Sequence, residues 1–96
     1  MHGGAPALDI GGDIGAMLVT MDRSALGSEL HLRSEHVQPV AVHTGVWERD
    51  QGGATVIAAV FAELVEGHYQ VLDQQGVGVR RVEVRGGEVT TIDLRT

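Results

Sequence analysis

The sequence predicts an all-β chain, folded as an antiparallel sandwich of about seven strands. Two observations carry that reading. Short runs alternate apolar and polar residues with a period of two, ELHLR at 29–33 being the clearest. Glycine-rich turn signals at 11–12, 50–53 and 86–87 break the chain between such runs.

The elements follow in order. Residues 1–14 form a glycine-rich N-terminal arm whose start is expected to fray. AMLVTM at 16–21 is apolar enough for a buried strand, and residues 22–27 turn the chain. In ELHLR, Leu30 and Leu32 face one way and Glu29, His31 and Arg33 the other. Residues 34–39 are a polar loop. In VAVHTGVWER at 40–49, Val40, Val42 and Val46 share a face assigned to the core, while His43, Trp47 and Arg49 share the opposite one. Gly45 marks a position where a bulge would exchange the faces beyond it. In VGVRRVEVR at 77–85 the apolar parity slips between Val79 and Val82, so a bulge or twist is expected near Arg80. Gly86-Gly87 suits a two-residue hairpin turn. In the last run Ile92 and Leu94 face the core, and Thr91, Asp93 and Arg95 face out.

The stretch VFAELVEGHYQVLD at 60–73 admits two readings from its residues. Ala58, Ala59, Ala62, Glu63, Leu64 and Glu66 suit a helix, and Val56, Val60 and Leu64 lie on one helical stripe. Against that, residues 55–61 are dominated by β-branched and aromatic side chains apart from the alanines. Gly67 also comes early for a helix of ordinary length. Beyond it Tyr69 and Val71 alternate with His68 and Gln70.

The pattern Phe61-x-x-Leu64-x-x-Gly67-x-Tyr69-x-Val71, then Gly76, Val82-x-Val84, Gly87 and Ile92-x-Leu94, resembles the end of a prealbumin-like sandwich, as in carboxypeptidase regulatory-like and collagen-adhesin B-type repeats. The resemblance covers roughly residues 55–94. It implies strand, corner and strand: the leucine plugs the end of the core, the glycine permits the corner, and the tyrosine starts the next strand. LDIGGDIGA and HTGVW are similar to segments of a group of short actinobacterial proteins, a resemblance that implies no activity. Hydroxyisourate hydrolase shares the prealbumin-like fold and closes on Tyr-Arg-Gly-Ser. This chain ends Ile92-Asp93-Leu94-Arg95-Thr96, so that activity is not carried over.

Composition narrows the function further. A chain of 96 residues, 43% hydrophobic, is expected to be one domain with one small core. All seven basic residues are arginine, a bias that suits a GC-rich bacterial genome. The formal charge of −6 argues against nucleic acid as a partner. The absence of cysteine removes disulfides, thiolate metal sites and cysteine nucleophiles, and fits a reducing cytoplasm. No secretory pattern and no run of about 20 apolar residues stands out, so neither export nor a membrane is expected.

Candidate chemistry is sparse. Ser28 lies in LGSEL, without the second glycine of a nucleophile elbow, and Ser24 and Ser34 read as turn residues. DIGGDIG at 9–15 lacks the lysine of a phosphate loop and the alternating acids of a calcium loop, so it reads as a turn. No His-x-His occurs. His31 and His43 would have to meet across neighbouring strands and recruit Glu29 or Glu48 to collect a metal. From the sequence alone no metal and no other cofactor is expected.

The leading expectation is a small non-enzymatic binding or accessory module with a protein partner, self-association being compatible with it. The candidate residues are His43, Trp47 and Arg49 on one strand face. A ligand-binding or hydrolytic protein using His43 with nearby carboxylates is the alternative. A pocket with convergent His and acidic groups would favour the alternative, and a flat face the binding module. For Trp47 two other placements stay open: a bulge at Gly45 would turn it into the core, and the N-terminal arm would cover it.

Overall fold

The computed structural model describes residues 10–36 and 41–96, together with the backbone of His2 and Gly3. Eight strands run in chain order: β1 (His2–Gly3), β2 (Ile14–Thr20), β3 (Glu29–Ser34), β4 (Ala41–Gln51), β5 (Ala54–Val65), β6 (Gly67–Leu72), β7 (Gly78–Val84) and β8 (Val89–Asp93). A single 3-10 turn, Arg23–Ala25, lies between β2 and β3, and no α-helix occurs among the described residues.

The strands pair in the order β7-β6-β3-β4-β5-β2-β8, with β1 beside β4. β4 changes neighbour midway. Residues 41–45 pair with β3, and residues 46–51 pair with β5. The sheet therefore has two halves that share β4. Both contribute to one core: Leu30, Leu32, Tyr69, Val71, Val82 and Val84 from one, and Met17, Val19, Val46, Ile57, Phe61 and Ile92 from the other. The end strands approach one another, and the Thr90 hydroxyl on β8 donates to the Glu83 carbonyl on β7 at 3.3 Å. The sheet is thus curled nearly into a barrel.

The all-β expectation holds, but the sheet is mixed rather than antiparallel throughout. β8 runs parallel to β2, with Ile92 opposite Val19, and β1 runs parallel to β4. Gly86-Gly87 turns the chain but makes no hairpin. The Gly87 N–H donates to the Ile14 carbonyl at 2.9 Å, and the Ala16 N–H to the Glu88 carbonyl at 3.0 Å, so β8 enters alongside β2 instead of folding back on β7. The tight hairpin lies at the other glycine pair. Gly52 and Gly53 have φ of 58° and 83°, and Gln51 pairs with Ala54, as a two-residue loop with left-handed central residues requires.

Leu30 and Leu32 are buried, while Glu29, His31 and Arg33 are exposed, as their alternation required. The register of β7 slips where Val71 faces Arg80 but Leu72 faces Gly78, beside the expected irregularity. Val42 packs against the core and Val46 is fully buried; Val40 lies outside the described residues.

Residues 54–72 are strand, corner and strand. The strand half is hard to read because Ile57, Ala58, Ala59, Val60 and Phe61 are all buried. A strand covered on both faces loses its period of two. At the corner Gly67 has φ of +140°, a conformation side chains enter only with strain. A Cβ there would also run into the imidazole of His36, whose Nε2 lies 3.1 Å from the Glu66 carbonyl. Leu64 is buried beside the turn. The Tyr69 hydroxyl donates to the Val65 carbonyl at 2.6 Å, tying β6 back to the end of β5. Burial pushes the Tyr69 phenol up, which keeps it a neutral donor.

Gly67→Val is expected to destabilise the domain by about 1–3 kcal/mol. An unchanged denaturation midpoint would contradict the corner. Tyr69→Phe keeps the ring and removes one bond, so its expected loss is about 1 kcal/mol in chemical denaturation.

Candidate binding face

Alternation along β3 and β4 sends one set of side chains into the core and leaves the other on an outer face. On β4 that outer set contains His43, Trp47 and Arg49, as the sequence predicts, because the ladder keeps regular register through Gly45. No bulge turns Trp47 inward, and Trp47 lies outside the core cluster. Gly45 has a different use. A Cβ on it would stand 2.5 Å from the Trp47 indole nitrogen, so the missing side chain makes room for the indole, which folds back along the strand toward His43. Trp47 is half-buried there, opposite Ala58 of β5. Of the N-terminal arm, residues 1–14, β1 pairs with β4 at Glu48 and Arg49, while Met1 and residues 4–9 lie outside the described residues.

Arg49 sits beyond Trp47 on the same face. Its Nε donates to the Ala58 carbonyl over a long 3.4 Å, and partial burial pulls the guanidinium pKa down. Among the described residues no carboxylate pairs with it, nor with Arg33 or Arg80, whereas Arg23, Arg81, Arg85 and Arg95 each have one. Of the three, Arg49 is the partly buried one.

At the other end of the face β3 adds its own outward residues. His31 stands directly opposite His43 in the ladder, with ring centroids 5.3 Å apart and planes tilted by 31°. Glu29, paired with Gly45, reaches diagonally to His43, its Oε2 lying 3.0 Å from Nδ1. His43 and Glu29 are 60% and 57% exposed, so water screens this contact strongly. Of the two acids that could have joined the histidines, Glu29 does so. Glu48 takes an ion pair with Arg23 at 3.0 Å instead. Alternation along β3 marked Glu29 and His31 as outward-facing; only the register shows that they meet His43.

Two carboxyls elsewhere are displaced downward: Arg81 holds Glu35 below the usual range, and Arg95 holds Asp93 at about 2. The Ser28 hydroxyl donates to the Ala25 carbonyl at 2.5 Å, and the Ser34 hydroxyl accepts from the His36 N–H at 3.3 Å, so both serve local turns. An open cleft of 520 Å³ is lined by Glu66, Gly67, Glu83, Val84, Arg85 and Gly86, and a smaller one by residues near Leu30 and Leu94. Neither includes His43, Trp47 or Arg49. The DIGGDIG segment is a turn over its described part: Gly11 and Ile14 exchange two bonds of 2.9 Å, and the Asp13 carbonyl accepts from the Glu66 N–H. Asp9 lies outside the described residues. No helix among the described residues is long and apolar enough to cross a membrane.

Comparison with protein-family models, curated proteins and solved structures finds no match to this chain.

Because the Gly45 backbone tolerates a methyl group but the indole does not, Gly45→Ala is expected to displace Trp47. The emission of this single tryptophan should shift to the red and become more accessible to iodide, with stability changed by no more than about 1 kcal/mol. An emission spectrum identical to that of the unaltered chain would mean that the indole does not rest on Gly45.

Proposed function

We propose that this chain is a small, non-enzymatic binding module whose partner is another protein, held on the outer face of β4 by Trp47 and Arg49 with His43 at its margin. The observation that carries the reading is Arg49: a partly desolvated guanidinium beside the sole tryptophan, without an acidic partner among the described residues. Such a group favours a carboxylate brought by another molecule, and it binds one in two-pronged geometry. The adjoining indole favours an apolar side chain. Tryptophan and arginine dominate the energetics of protein interfaces for these reasons. The expected partner surface thus presents an Asp, Glu or chain-terminal carboxylate next to an apolar group.

The fold proposed for the module is a prealbumin-like sandwich. The two-part ladder that shares β4, the buried Leu64, the left-handed Gly67 and the Tyr69 hydroxyl on the Val65 carbonyl all support it. The alternative, ligand binding or hydrolysis at His43, has the Glu29–His43 contact in its favour, but that pair is exposed and strongly screened by water.

The test starts from the partner captured by cross-linking in cells that express the chain, then purified and titrated calorimetrically. Trp47→Ala and Arg49→Ala are each expected to weaken the complex by about 2 kcal/mol, roughly thirty-fold. Circular dichroism would confirm that both variants stay folded. Full affinity in both folded variants would remove this face as the contact surface.

A further inference from the structure

We propose that Glu29, His31 and His43 form a binding site for a divalent transition-metal ion of the zinc class. The site goes beyond the partner reading and does not depend on it; the two share only His43.

Directly opposed residues on antiparallel strands have Cβ atoms about 4.5–5.5 Å apart. The pairing of His31 with His43 therefore leans two imidazoles over the same spot. Glu29 is the diagonal neighbour of that pair and already touches His43. One ligand atom from each of the three residues lies within 4.8 Å of the others. Ligands on a tetrahedral zinc, with bonds of about 2.0–2.2 Å, stand about 3.4 Å apart. Closing that difference moves exposed side-chain tips by about an ångström and leaves the backbone in place.

The donor set selects the ion. Two neutral imidazoles and one carboxylate match the three-ligand arrangement in which zinc keeps a fourth position open. Calcium and magnesium favour all-oxygen shells, which this face does not offer. One carboxylate also leaves the bound ion with a net positive charge, which a chain of formal charge −6 tolerates well. The sequence alone leads to no metal, because no His-x-His or cysteine occurs and the cross-strand meeting of His31, His43 and Glu29 has to be supplied by register; the pairing of β3 with β4 supplies it.

The competing account is a plain surface ion pair, Glu29 with His43, with His31 as a bystander. Zinc titrated into the full chain by calorimetry separates the two. The expected result is one ion per chain. Cobalt(II), as a spectroscopic stand-in, should show the visible absorption of a four-coordinate nitrogen–oxygen site and quench Trp47, whose indole folds toward His43. His31→Ala and His43→Ala should each weaken zinc binding by at least about 100-fold, and Glu29→Gln by about 10–100-fold. His68→Ala, on β6 and outside the trio, should leave it unchanged. All three ligands are exposed, so the variants should fold, and circular dichroism would verify it. The absence of saturable binding would overturn the site. So would binding that survives His31→Ala or His43→Ala, or a stoichiometry of one ion per two chains.

Discussion

The corner between β5 and β6, shaped by Gly67 and closed by the Tyr69 hydroxyl on the Val65 carbonyl, sets where the rest of the sheet can lie. β5 belongs to one half of the sheet and β6 to the other, and only the corner at Glu66 and Gly67 joins them. At this corner the backbone leaves its ladder in a partly buried neighbourhood, where an unmatched polar group costs about 1 kcal/mol or more. Tyr69 fills the core with its ring and satisfies one such group with its tip. Gly67 supplies the conformation, and Leu64 seals the core beneath it. Once β6 is fixed against the core, it offers β3 and β7 their edges, and the first half of the sheet assembles on it.

β4 solves the same connection problem without a break. It serves both halves along one continuous run, passing from β3 to β5 between Gly45 and Val46. Val46 is fully buried at the crossover, and both its backbone polar groups are matched: its N–H donates to Ser28 and its carbonyl accepts from Gly27, each at 2.9 Å. The long strand therefore bends around the core without losing hydrogen bonds. This bend also explains why one strand presents two unlike groups of side chains on its outer face. His43 looks out beside β3, and Trp47 and Arg49 look out beside β5.

The legible part of the fold is the part where one face of a strand meets water. Leu30 with Leu32, and Val82 with Val84, announce themselves because polar residues stand between them. β5 is the counter-example. Ile57 to Phe61 are buried without interruption, so the pattern that distinguishes strand from helix vanishes, and only the glycine–tyrosine corner beyond it decides the matter. Partner choice was not legible either. Gly86-Gly87 suits a hairpin in sequence and 50–53 reads only as a turn, yet the hairpin closes at Gly52-Gly53, because which pair closes one depends on where the following strand finds its apolar match. Ile92 finds Val19 in parallel, a long-range choice that local sequence does not encode. For the candidate face, the outward positions of His43, Trp47 and Arg49 followed from alternation alone. The function of Gly45 did not, because a glycine reads the same whether it bends a backbone or makes room for an indole.

The polar face inherits its precision from the core beneath it. A slip of β3 against β4 by one residue would turn Leu30 and Leu32 to water and bury Glu29, His31 and Arg33 in their place. Burying a large aliphatic side chain is worth about 1.5–3 kcal/mol. Burying an unpaired charge costs several more. Those energies forbid the slip, and in forbidding it they also hold His31 opposite His43 and Glu29 diagonal to it. The exposed groups need no strong bonds of their own to stay in register; their screened contacts would not supply enough. Positioning thus comes from the hydrophobic side of the strands, and reactivity is left to the other. The outer side chains remain free to adjust by small rotations around a fixed backbone, as recognition of an ion or of a protein surface requires.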